Sequence, residues 1–232
     1  MPSDFTNENE KLLLEVAKAF GGLLDQVVFL GGATTFLLVD KGAQVHARKT
    51  DDVDVIADLI TRADYYRFSD ELKKRGFRED QRDGAPLCRW QVDREGISYT
   101  VDVMPLAESV LGFTNRWYPE ALKNTNLHVI GEDLEIRIVK PLFFLATKFE
   151  AYHGRFEGDY FSRDIEDIVC LLEHRKALVI ELLDAPEILR VYLKKEFSLL
   201  LNSDFLNILP GLVDGTSSYS MVKRQLELMI RA

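Results

Sequence analysis

The stretch FLGGATTFLLVDKGAQVHARKTDDVDVIAD, residues 29–58, ends an apolar run on a glycine pair and then gathers aspartates at 51, 52 and 54. Residues 27–32, VVFLGG, are β-branched and aromatic up to the glycines, which reads as a buried strand entering a tight turn. Residues 33–42, ATTFLLVDKG, have helical length and a stop at Gly42, so a short helix is expected after the glycines and a loop over KGAQVHARK. DVDVIAD then alternates acid and apolar residues with period two. That pattern makes a strand with Asp52 and Asp54 on one face and Val53, Val55 and Ala57 on the other. Asp58 stands at the strand end, and Asp51 reads as a solvated or loop-capping residue.

Outward from this stretch, Leu12, Leu13, Val16, Ala17, Phe20 and Leu24 recur at helical spacing and predict a helix over 7–24. A second amphipathic helix is expected over 60–76, ended by Gly76. APLCRWQVD and ISYTVDVMP read as two strands joined at Arg94-Glu95-Gly96 by a hairpin loop of three to five residues. The second of these strands carries Asp102 in the same acid-then-apolar context as Asp54. Residues 106–140 are mixed, with one strand expected at LEIRIVK. Past Pro141 the pattern becomes helical over 141–153, 163–175, 177–183, 186–201 and 218–231. The expected fold is therefore α+β, a mixed sheet with flanking helices over 1–140 followed by a helical domain over 141–232.

The 232 residues are 47% hydrophobic and 29% charged, the balance of an ordinary soluble globular chain, and no run is long and apolar enough to span a membrane. The opening MPSDFTNENEKLL lacks the basic-then-apolar order of a signal peptide, so a cytoplasmic protein is expected. Cys88 and Cys170 have no partner at metal-ligand spacing and read as buried, reduced thiols. A net charge of −9 argues against a broadly basic nucleic-acid-binding surface. A local groove remains open to Arg48 and Lys49, or to Arg62, Arg67, Lys73, Lys74 and Arg75, although such charges more often form a solvated helix face.

Asp52 and Asp54, at i and i+2 on one strand, project the same way with Cα atoms about 7 Å apart. The repulsion between them is ordinarily relieved by a divalent cation, and hard carboxylate oxygens suit Mg²⁺ or Mn²⁺. If the strand bearing Asp102 lies alongside, a third carboxylate joins the same face. Three such acids can hold two metal ions for phosphoryl chemistry, with Asp102 as general base or metal bridge. Gly31 and Gly32, lacking Cβ atoms, would let the backbone approach a polyphosphate, and a helix beginning at Ala33 would turn N–H groups and a positive dipole end towards it. Thr34 and Thr50 would add hydroxyls.

In these residues the chain resembles the nucleotidyltransferase superfamily that shares the polymerase-β palm, whose signature runs glycine pair, short helix, Asp-x-Asp strand and a third aspartate on a later strand. Here those are Gly31-Gly32, Asp52-Val53-Asp54 and Asp102. The nearer likeness is to AbiEii-type toxin nucleotidyltransferases, which place Ser or Thr two before the first aspartate, as Thr50 is here. They also carry a helical lysine followed by an Arg-Asp-x-x-Asp segment. LATKFEAYHGR with Lys148, and SRDIEDIVCLL with Arg163, Asp164 and Asp167, are similar to both.

The resemblance implies a palm followed by a helical half, with an NTP held between them by Gly31, Gly32, Thr34, Thr50, Lys148 and Asp164, and metal on Asp52, Asp54 and Asp102. It implies transfer of a nucleoside monophosphate to an acceptor hydroxyl, with an RNA or tRNA 3′ end as leading acceptor and a toxin–antitoxin setting with a cognate antitoxin partner. A protein or small-molecule hydroxyl is the alternative acceptor, and a non-catalytic nucleotide- or partner-binding member of the fold the alternative role. Blander readings accompany these residues: a simple tight turn at the glycines, a snorkelling Lys148, local ion pairs at Arg163, Asp164 and Asp167, a surface His153, and core packing for Trp90, Tyr99, Trp117 and Tyr118.

Overall fold

A computed structural model describes residues 8–155 and 158–232 of the chain. Helix α1 (Glu8–Phe20) buries Leu12, Leu13, Val16, Ala17 and Phe20, the residues whose spacing predicted it. It ends earlier than expected. Gly21, at φ +52°, turns the chain into a 3-10 segment over Gly21–Gln26, because glycine takes the left-handed region without a Cβ clash. The expected start at Asn7 lies outside the described residues.

Strand β1 (Val27–Leu30) leads through a 3-10 turn (Gly32–Thr34) to α2 (Thr35–Leu38). The single helix expected over 33–42 is thus two short pieces, and the expected loop after it holds a 3-10 turn at Gln44–His46. Next come β2 (Asp52–Ala57) and α3 (Arg62–Lys74). A capping box opens α3: Asp64 N donates to Thr61 Oγ1 at 3.1 Å, and Thr61 N donates to Asp64 Oδ2 at 2.9 Å. Arg62 Nε donates to Ser109 O at 3.2 Å, and the bases after it face local acids, Arg67 with Asp64, Lys73 with Glu79, and Lys74 and the capping Arg75 with Glu71. They form a charge-paired helix surface rather than a basic groove.

Strands β3 (Arg78–Glu79), β4 (Arg89–Arg94) and β5 (Ile97–Met104) follow. The β4–β5 hairpin is tighter than the sequence suggested: Arg94 still pairs with Ile97, leaving only Glu95 and Gly96 in the turn. Both lie at positive φ, +50° and +77°, as a two-residue type I′ connection requires. The mixed region resolves into α4 (Glu108–Leu111), α5 (Tyr118–Lys123), β6 (Thr125–Ile130) and β7 (Leu134–Val139). After Lys140 the elements are helices: α6 (Pro141–Arg155), α7 (Arg163–His174), α8 (Leu178–Leu183), α9 (Glu187–Leu201), α10 (Phe205–Ile208) and α11 (Gly215–Arg231). Among the described residues no helix is long and apolar enough to cross a membrane.

The strands form one mixed sheet in the order β3-β4-β5-β2-β1-β7-β6. Pairs β1–β7 and β2–β5 are parallel, and the other neighbours are antiparallel. The fold is therefore α+β with flanking helices and a C-terminal helical region, as the sequence pattern indicated. The chain groups into two compact units. One joins the chain up to Thr34 with Lys49–Val139, and the other joins Thr35–Arg48 with Lys140–Ala232.

In the sheet unit, Phe20 of α1 meets Phe29 of β1 edge-on at 6.1 Å and Phe77 at 5.2 Å, and Trp90 is fully buried. In the helical unit, Phe149 of α6 meets Phe197 of α9 at 5.4 Å, while Val222, Leu226 and Met229 seat α11. Tyr99 and Trp117 are also buried, consistent with a packing role.

On β2 the alternation governs the site's exposure. Val53 and Val55 are fully buried on one face, while Asp52 and Asp54 are half-buried on the other. Ile56 shares the acids' face but is wholly buried, so that face is covered immediately past Asp54. Ile56→Ala is expected to lower stability by about 2–5 kcal/mol in urea denaturation, the usual cost of such a core truncation.

Candidate metal and phosphate site

The register of β2 and β5 places Asp54 directly opposite Asp102 and Asp52 opposite Thr100. On the far side of β5, Arg89 of β4 stands opposite Asp102. Residues opposite one another on adjacent strands share a face, so Arg89, Asp102 and Asp54 form one row across three strands, with Asp52 a single pleat away. The third carboxylate expected from the sequence is therefore on the predicted face.

The sequence reading did not include Arg89. Its Nε donates to Asp102 Oδ1 at 2.8 Å and its Nη2 to Asp102 Oδ2 at 2.7 Å, a bidentate fork. The same Nη2 reaches Asp52 Oδ2 at 3.2 Å. The Asp102 side chain is 8% exposed, that of Arg89 24% and that of Asp52 32%, so the pairing is screened from bulk water on Asp102's side. Hydrogen bonding to Asp102 raises the Arg89 pKa further above its ordinary value. Next in the chain, the Cys88 thiol is pushed up to about 12, first by burial and then by the negative charges of Asp102 and Asp54. Cys88 is buried as expected, whereas Cys170 is only partly so; both are free thiols.

Gly31 fixes the position of Asp54. Its φ is +76°, and a Cβ built there would lie 1.9 Å from Asp54 Oδ2 and 3.0 Å from Asp54 Cβ. The close approach anticipated from the glycine pair is thus an approach to the protein's own carboxylate. Thr34 closes the turn, its N and Oγ1 donating to Gly31 O at 3.1 and 2.9 Å. Gly32 and Thr34 are both buried in that turn. The expected helix dipole is not formed here, because a 3-10 turn and a four-residue helix align too few peptide units. Thr50 is likewise occupied in shaping the strand entry. Its N donates to Asn9 Oδ1 at 3.1 Å and its Oγ1 to Asp52 O at 3.1 Å.

Lys148 and Asp164 belong to the helical unit and meet there. Lys148 Nζ lies 3.0 Å from Asp164 Oδ1 and 2.6 Å from Asp167 Oδ2, with all three side chains buried. Arg48 adds a second fork, Nε and Nη2 donating to the two oxygens of Asp167 at 3.1 Å each. Thr35 Oγ1 reaches Asp167 at 3.3 Å, and Arg155 Nη2 reaches Asp164 Oδ2 at 3.3 Å. Asp167 is thus the hub of this cluster, with Arg48, Lys148 and Arg155 set against two buried aspartates. The sequence signals for the cluster were the i, i+3 spacing of Asp164 and Asp167 and the i, i+7 spacing of Lys148 and Arg155, each of which returns to one helix face. Arg163 is exposed at the start of α7, and His153 binds Glu196 at 2.7 Å.

Among the described residues, no three His, Cys, Asp or Glu side chains converge as a preformed metal cage. The donor chemistry of Asp52, Asp54 and Asp102 nevertheless fits a hard divalent cation: carboxylate oxygens only, on one face, from adjacent strands. What differs from a ready cage is that Arg89 holds two of the three.

No protein-family model and no curated protein matches the chain. Among solved structures it is similar to an antigenic nucleotidyltransferase-like protein from Paracoccidioides brasiliensis, at 17% identity and a TM-score of 0.47 over 72% of this chain and 76% of that one. It is also similar to a candidate nucleotidyltransferase from H. pylori, at 17% identity and a TM-score of 0.48 over 96% of this chain and 93% of that one. At such divergence neither description transfers to this chain.

Gly31→Ala is expected to displace Asp54 and to strain the turn, lowering stability by about 1–3 kcal/mol for a non-glycine residue held at positive φ. Urea melts measure that loss, and an unchanged midpoint would contradict the close approach.

Proposed function

We propose that the protein is a metal-dependent nucleotidyltransferase. The observation that carries this reading is the register of Asp54 with Asp102 on parallel strands, with Asp52 on the same face. Asp52, Asp54 and Asp102 would hold Mg²⁺ or Mn²⁺. A divalent cation there supplies charge neutralisation for the phosphates and lowers the pKa of an attacking hydroxyl. Gly31 keeps Asp54 in place, Thr34 holds the turn, and Thr50 sets the entry to the strand. Asp102 is our assignment for the group that accepts the hydroxyl proton. The acceptor oxygen bonds to the α-phosphorus of an NTP, the bond to the β-phosphate oxygen breaks, and pyrophosphate leaves.

Gly31 and Gly32 carry the nucleotide-binding assignment from the sequence resemblance, as do Lys148 and Asp164. Within the helical unit Arg48, Lys148 and Arg155 are matched by Asp164, Glu166 and Asp167, so the assignment of Lys148 to phosphate binding rests on that resemblance. An RNA 3′ end, tRNA included, is the leading acceptor by the same resemblance, in a toxin role with an antitoxin partner. The net charge of −9 favours a second acceptor, a protein hydroxyl, because an acidic surface repels the RNA backbone.

Incubation with each α-labelled NTP, Mg²⁺ and total RNA, beside a lane without RNA, is expected to place label on RNA; label on protein alone selects the second acceptor. Asp54→Asn should reduce either product by at least about a hundredfold, on the scale of losing one electrostatic element of a catalytic site. Turnover equal to that of the unmodified protein would remove the proposed metal role. Lys148→Ala should weaken NTP binding at least tenfold in equilibrium dialysis while Mn²⁺ affinity measured without nucleotide stays the same. Equal NTP affinity in the two proteins would leave Lys148 a structural ion-pair residue.

A further inference from the structure

Arg89 is a base of the sheet unit that touches the acid set. Three features bear on it. It is registered opposite Asp102 across β4 and β5, so its position is set by strand pairing rather than by a flexible loop. Its guanidinium bonds both oxygens of Asp102 and one of Asp52, the outer members of the acid set on two different strands. And its side chain remains 24% exposed. The lone pairs it engages belong to the same oxygens that a divalent cation would need.

We infer that Arg89 is a positioning residue that stands in for the divalent cation: it holds Asp52 and Asp102 as their counter-ion until the cation, arriving with the nucleotide, displaces it. This rests on the metal-dependent reading of the acid site. The nucleotide's phosphates add oxygen ligands to the cation and offer the guanidinium another anion, so the exchange couples metal binding to nucleotide binding. The released guanidinium is planar and retains its fork of donors, which suits it to an anionic phosphate group. In the absence of nucleotide the arginine keeps the affinity of the site for metal low.

The test is Mn²⁺ affinity, read by electron paramagnetic resonance of the free ion, for the full chain and for Arg89→Met and Arg89→Lys, with and without a non-hydrolysable NTP analogue. Far-ultraviolet circular dichroism checks that each variant is folded. The unmodified protein should bind Mn²⁺ weakly alone and at least tenfold more tightly with the analogue. Arg89→Met should bind Mn²⁺ at least tenfold more tightly without the analogue, and the gain on adding it should shrink. Arg89→Lys, which keeps the charge but lacks the fork, should fall between the two and keeps the test available if the methionine variant does not fold. Equal or weaker Mn²⁺ binding by folded variants would overturn the counter-ion role while leaving the metal reading intact. Absence of Mn²⁺ binding in every protein, with the analogue present, would overturn both.

Discussion

Like charge on adjacent strands is the constraint around which the sheet unit is arranged. Strands lie about 4.8 Å apart, so the registered Asp54 and Asp102 bring two carboxylates within reach of each other before any ligand is considered. At an effective dielectric near 20, two unit charges about 5 Å apart repel by about 3 kcal/mol, and Asp52 adds to this from one pleat away. A fold that is only marginally stable cannot leave such repulsion unanswered. Arg89 answers it from the next strand, and the burial of Asp102 makes that answer necessary: removing one partner of a buried ion pair typically costs about 3–5 kcal/mol.

The rest of the local structure serves the same row. Gly31 has positive φ and no Cβ because Asp54 occupies the space a side chain would fill. Thr34 and Thr50 spend their hydroxyls on backbone oxygens, one on the turn after β1 and the other on the first residue of β2. Hydroxyls used in this way define where the carboxylates stand, and any role in binding phosphate would be added to that duty. The helical unit repeats the principle. Buried Asp164 and Asp167 are tolerated because Lys148, Arg48 and Arg155 converge on them, so the Arg-Asp-x-x-Asp segment has a structural function whatever else it does.

How far the sequence could be read follows from these interactions. The strand with a carboxylate face was legible because alternation in DVDVIAD is local and period two has one structural meaning. The partnership of Asp54 with Asp102 was legible only as a conditional, since register is a property of pairing and not of either strand alone. Arg89 was not legible: in APLCRWQVD it is one base in a strand, and its importance lies in standing opposite Asp102 across a hairpin whose two-residue turn is tighter than the three to five residues expected. The β6 strand was missed for a related reason. Leu127 and Val129 are exposed on this edge strand and only Ile130 at its end is buried, so its alternation marks no core face.

The helix misread after the glycines carries the most chemical consequence. ATTFLLVDKG has helical length, and a full helix there would have offered a phosphate the positive end of a dipole. The chain instead makes a 3-10 turn and one turn of α2, with Thr34 N already donating to Gly31 O. Attraction for an anion at this end of β1 must then come from fixed positive charge rather than from peptide dipoles. In the sheet unit Arg89 supplies such a charge, and under the metal-dependent proposal a cation would compete with it for the same carboxylate oxygens. On that proposal a nucleotide would resolve the competition, because its phosphates would supply ligands to the cation and an anionic partner to the displaced arginine together.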